Sequence, residues 1–132
     1  MTTKALCTEA QIREMVRTFY AEIRRDEVLG PIFNHHIDDW EEHLLKLEDF
    51  WSSILLRTAR FSGTPMPKHV ALPDLDAAMF QRWLTLFRKT NSVLENQAMV
   101  AQANSAAERI AQSLWFGYQI KNNPDAIPVG LH

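Results

Sequence analysis

The chain has one cysteine and four glycines in 132 residues. Cys7 has no second thiol to pair with, so an internal disulfide is excluded and a reducing compartment fits. Scarce glycine and few β-branched runs argue against a sheet-rich fold. No stretch approaches the ~18–20 apolar residues of a membrane span. The opening "MTTKALCTEAQ" lacks the apolar core of a signal peptide. A cytoplasmic chain with no membrane partner is the expectation. Charge of one sign is lacking too: 14 Lys and Arg stand against 16 Asp and Glu. No basic excess is there to draw nucleic acid.

Several chemistries are also unsupported. There is no cysteine pair or HExxH for zinc. No glycine-rich loop could cradle phosphate, and no serine sits in a nucleophile elbow. A di-iron bundle needs Glu-x-x-His from two helices; "EEHLLKLE" lacks that spacing and has no second copy. Neither an internal repeat nor a low-complexity segment is present.

What is present is helical periodicity. Hydrophobic residues make up 46% and charged residues 23%, enough for one domain with one core. Thr8 and Gln11 have capping-box spacing, and Ile12, Met15, Val16, Phe19, Tyr20 and Ile23 then line one helical face. Gly30–Pro31 is expected to stop that helix, leaving "IFNHHIDD" as a connector. A second helix follows Asp38–Asp39, with Trp40, Leu44, Leu47, Trp51 and Leu55 in line. A loop is expected from 59 to 73. A third helix spans about 74–90, with Met79, Phe80, Trp83, Leu84 and Phe87 inward, and a fourth about 95–121. The expectation is a single all-α domain over 1–132, with its core at about 8–121 and a flexible tail at 122–132.

Chemistry shows where this patterning breaks. His43 falls on the apolar stripe of the second helix, Tyr20 on that of the first and Trp83 on that of the third. Each has a polar tip that needs a partner when buried. Taken singly, Tyr20 and Trp83 read as core residues bonded to a backbone carbonyl, and His43 is evenly balanced. His35 and His36 read as solvated. His69 stands in "PMPKHVALP", which holds three of the six prolines. Proline limits backbone freedom on both sides of it. A stiffly placed imidazole, inward aromatics and three polar groups suit haem, whose iron takes an imidazole on one side and whose opposite pocket decides the fate of a ligand. Periodicity alone does not single out haem.

Four stretches, "FYAEIRRDEVLGPIFN", "WEEHLLKLEDFW", "GTPMPKHVALP" and "RWLTLF", stand in an order and spacing that resemble the truncated, two-over-two helical haemoglobins of group III. The resemblance covers about residues 10–120. It implies a two-over-two helical sandwich holding haem b (iron protoporphyrin IX). His69 matches the proximal iron ligand. Tyr20, His43 and Trp83 match the distal groups around bound ligand. Phe33 matches the phenylalanine packed on the porphyrin, while Leu47, Phe50 and Trp51 match distal lining positions. Val70 and Leu72 are expected on the proximal haem face, with Phe80 and Phe87 among the haem contacts. Lys46 and Lys68 are assigned to the propionates from charge alone, against the blander reading of solvated lysines. The paired-glycine motifs of groups I and II are missing, as is common in group III.

The implied function is binding of dioxygen, nitric oxide or carbon monoxide, with tight oxygen retention suited to oxygen, nitric-oxide or peroxide chemistry rather than bulk transport. The alternatives are a haem enzyme with peroxidase or nitric-oxide dioxygenase turnover, supplied with electrons by a reductase, and a cofactor-free helical interaction module.

Overall fold

The computed structural model describes residues 5–58 and 75–131. Within them the chain forms α1 (Glu9–Arg25), α2 (Leu29–His36), α3 (Trp40–Leu55), α4 (Ala77–Asn91) and α5 (Gln97–Asn122), with no strand among the described residues. Helix starts follow local chemistry. The Gln11 backbone N–H donates to the Thr8 hydroxyl at 3.1 Å, and the Thr8 N–H donates to the Gln11 side chain at 2.9 Å. That closes the expected capping box and satisfies two otherwise open donors. Asp39, Asp76 and Asn96 accept from the third residue of α3, α4 and α5 in the same way.

Helix α1 packs against both α3 and α4, α4 against α5, and α3 against α5. The α1/α3 pair therefore lies over the α4/α5 pair, the expected two-over-two arrangement. Ile12, Met15, Val16, Phe19 and Ile23 of α1 are 0–1% exposed and meet Phe87 of α4 and Met99, Ala103 and Ala107 of α5 in one core. Burying a side chain such as Phe87 contributes about 1.5–3 kcal/mol. Cys7 is buried beside this core, and burial is the main cause that pushes its thiol pKa up. No helix among the described residues is long and apolar enough to cross a membrane.

The first connection departs from the sequence reading. Helix α1 ends at Arg25, with extended Asp26 as its C-cap, five residues before the glycine expected to stop it. Gly30 and Pro31 lie inside α2, which occupies most of the expected connector. Pro31 is the third residue of that helix, where a missing N–H breaks no intrahelical bond. Gly30 is there for space: a Cβ on it would stand 2.8 Å from the Arg24 carbonyl oxygen and 3.2 Å from that of Ile23. Helix α2 forms because it docks closely on the end of α1, a tertiary cause that local sequence does not announce.

Polar groups fix the helices relative to one another. Arg13 Nε donates to Glu48 Oε1 at 2.8 Å, and the Arg17 guanidinium bridges Glu41 at 2.7 Å and Glu48 at 3.3 Å. The fully buried Ser52 hydroxyl donates to Glu9 Oε1 at 2.8 Å. At the other end of α1, Asp26 accepts from the backbone of Val28 and Leu29 and from Arg82 Nε at 2.7 Å. The Arg82 guanidinium foremost, and then those two backbone donors, hold its carboxyl below the usual carboxylate range. The segment after α5 folds back onto it. Gln119 exchanges two hydrogen bonds with the backbone of Val129, and Gln112 exchanges two with Leu131.

Candidate functional site

The side chain of Tyr20 is the centre of the site. It projects from the inner face of α1, is 5% exposed, and has its phenol pKa raised chiefly by burial. The Trp83 indole of α4 lies near enough to favour the charged form of that phenol, which opposes part of the rise. An indole N–H can only donate, so toward Trp83 the Tyr20 oxygen can act only as an acceptor, and the phenol proton is left for another partner. The two residues meet because Phe19 sits between their helices. Its ring is edge-on to Tyr20 at 4.8 Å, to Trp83 at 5.2 Å and to Phe87 at 4.9 Å. Edge-to-face pairs at these distances hold rings in defined orientations.

Three further rings surround Tyr20. Phe33 of α2 lies at 6.1 Å, Trp40 of α3 at 6.1 Å and His43 of α3 at 6.2 Å. The expected distal trio of Tyr20, His43 and Trp83 is thus gathered from three helices around one phenol. His43 is half-buried rather than fully inside the stripe, at the margin between buried Leu44 and exposed Glu42. Leu47 and Phe50 are likewise half-buried, so the helix that carries His43 keeps part of its apolar surface open.

Other expected site residues lie elsewhere. Trp51 and Phe87 are buried and stack on each other at 5.3 Å, and Phe87 also stacks on Trp83 at 5.4 Å. They form the floor beneath Trp83. Phe80 faces Trp115 of α5 at 5.5 Å. Lys46 is exposed and pairs with Glu42 at 3.2 Å within α3. His35 and His36 are exposed and touch each other at 4.9 Å. His69, Lys68, Val70 and Leu72 lie outside the described residues.

Trp40 and Arg24 were not singled out for the site, yet both belong to its edge. The Arg24 guanidinium lies 4.7 Å over the Trp40 ring, and Trp40 stacks on Phe33 at 6.5 Å. Trp40 Nε1 donates to Asn34 Oδ1 at 3.1 Å. The available signal was position: Trp40 precedes His43 by three residues and shares its helix face. It was read only as part of an apolar stripe.

No family model matches the chain. The chain is 34% identical over 107 residues to the group 3 truncated hemoglobin ctb of Campylobacter jejuni, an alignment covering 78% of this chain and 84% of that protein. The crystal structure of the group III truncated hemoglobin from Campylobacter jejuni matches the fold with a TM-score of 0.79 at 28% identity, over 96% of this chain and 100% of that one.

Proposed function

The chain belongs to the group III truncated haemoglobins, and on that premise we propose that it binds haem b and retains a small diatomic ligand beside Tyr20. Membership in this family implies a haem cofactor. The described residues fit such a group. Phe33, Leu47, Phe50 and Trp83 are apolar yet only half-buried, and Phe33 and Trp83 lie beside the buried Tyr20, which suits the surface a flat apolar macrocycle would cover. Haem supplies reversible binding of dioxygen, nitric oxide or carbon monoxide at its iron. His69 is the residue we infer would hold the haem iron, through one ring nitrogen.

The observation that carries the reading is the burial of the Tyr20 phenol inside a cluster of rings, with the Trp83 indole acting on it. That setting offers the phenol proton as a donor within a cluster of rings. Burial keeps that proton on the oxygen at any ordinary pH. A ligand with partial negative charge is stabilised by such a donor, and a hydrogen bond to a charged acceptor contributes about 1.5–3 kcal/mol. Tight retention of dioxygen follows, which suits oxygen, nitric-oxide or peroxide chemistry better than bulk transport.

Two measurements test this. Replacing Tyr20→Phe should raise the dioxygen dissociation rate by roughly 10- to 150-fold. An unchanged rate there, and also in the double variant with Trp83→Phe, rejects the role of the pair. Replacing His69→Gly should abolish stable haem binding or leave it dependent on added imidazole. Normal haem uptake with an unaltered Soret spectrum rejects the axial assignment.

A further inference from the structure

The Tyr20 hydroxyl is buried, whereas the rings around it differ in exposure. Phe19 and Phe87 are sealed in the core, while Phe33, Trp40 and His43 are half-buried. Trp83 is half-buried as well, on the α4 side; away from α4, the outer side of the cluster is made by Phe33, Trp40 and His43. Of these three, Trp40 is also held by contacts outside the ring cluster. Arg24 covers one face and Phe33 stacks on the ring. Asn34 accepts from its indole nitrogen, and Asn34 Nδ2 donates in turn to the Arg24 carbonyl at 3.3 Å. His43 stands edge-on to Trp40 at 5.8 Å, so the imidazole cannot move outward along that side without displacing the indole.

We propose that Trp40, clamped by Arg24, Phe33 and Asn34, is a latch that governs passage of small ligands past His43 to the Tyr20 hydroxyl. The inference rests on the ligand-binding reading above but adds a control element to it. Trp40 and Arg24 are positioning residues: they act through His43 and touch no ligand. Arg24 is exposed, so its hold on the indole face is that of a partly solvated cation–π pair. Losing it makes opening easier without altering what Tyr20 and Trp83 do at the inner end. Releasing a latch lowers one barrier that is crossed in both directions. Entry and escape therefore accelerate together, and their ratio stays fixed.

The experiment uses the haem-loaded full chain with carbon monoxide as the probe. Association is read by flash photolysis and dissociation by ligand displacement. Arg24→Gln should raise both rates by about two- to fivefold at constant ratio, the worth of a surface cation–π contact. Arg24→Lys should restore the wild-type rates, because an ammonium still sits over the ring. Trp40→Ala should raise both rates further. In the same Arg24→Gln protein without carbon monoxide, the Trp40 indole proton, followed by nuclear magnetic resonance, should exchange with solvent faster than in wild type. Unchanged rates in haem-loaded Arg24→Gln and Trp40→Ala overturn the latch. So does a rise in dissociation alone, which would mean that the ligand's own contacts had been disturbed. A wild-type chain that takes up no haem overturns the ligand-binding reading itself, a separate outcome.

Discussion

Helix α1 meets α4 mainly through aromatic rings, and beyond the contacts of Tyr20 with Trp40 and His43 it meets α3 mainly through charges. Along the first seam Phe19 lies 4.8–5.2 Å from Tyr20, Trp83 and Phe87, and Trp83 and Phe87 stack at 5.4 Å, only 3° from parallel. Along the second, Arg13 and Arg17 interleave with Glu41 and Glu48, and Ser52 reaches Glu9. The seams do different work. Ring packing is favourable over a range of small slips, so it makes a strong but forgiving contact. Fork-shaped guanidinium–carboxylate pairs are worth less, but they are satisfied in one register only. The helix carrying Tyr20 is thereby bound to α4 mainly by apolar burial. Its alignment with the helix carrying His43 is set mainly by charge.

The largest expected effect separates the two. Phe87 is 1% exposed and touches three aromatic rings, so Phe87→Ala leaves a cavity at the centre of the ring seam. A loss of about 3–5 kcal/mol is expected in urea or thermal unfolding. A loss below about 1 kcal/mol would show that the ring seam does not carry the fold.

The charged seam should cost less and report differently. The Glu48 carboxylate is 12% exposed and faces two guanidinium groups. Glu48→Gln keeps the shape but weakens both bonds, for an expected loss of about 1–2 kcal/mol. If charge sets register, this variant should also shift the His43 imidazole resonances, whereas Phe87→Leu, matched to it in stability loss, should not. Equal shifts in both would erase the distinction between the seams.

The sequence carried these two seams unequally. The ring seam was legible, because Tyr20, Trp83 and Phe87 all fall on helical apolar faces whose period is visible in one dimension. The gathering of Tyr20, His43 and Trp83 around one hydroxyl came from family resemblance, since periodicity tells which face is inward but not which faces meet. The charged seam was not legible. Arg13, Arg17, Glu41 and Glu48 sit on surfaces rich in other charges, and nothing local names their partners. Trp40 was hidden for a related reason. Its clamp needs α2, and α2 exists only because Gly30 lets it approach the α1 carbonyls. A weakly amphipathic eight-residue helix whose N-cap, Val28, makes no side-chain bond gives little signal of its own.

The smallest effect lies where the ring seam itself ends in a charge. Asp26 pins the end of α1 to Arg82, the neighbour of Trp83 on α4. Its folded-state pKa lies below its unfolded value, because the Arg82 guanidinium and two backbone N–H groups favour the charged form. The stability it contributes is then fully present above the unfolded value of about 3.9 and is lost as pH falls through the lower folded value. Asp26→Asn should lower the melting temperature at pH 7 by about 1–4 °C, in keeping with a partly solvated pair. Below about pH 4 the wild type loses the same contribution by protonation, and the two melting curves should converge. If the gap instead persists unchanged down to pH 2.5, the Asp26 site acts through shape and backbone capping. Charge would then govern the α3 seam alone, and the contrast between the two faces of α1 would be complete.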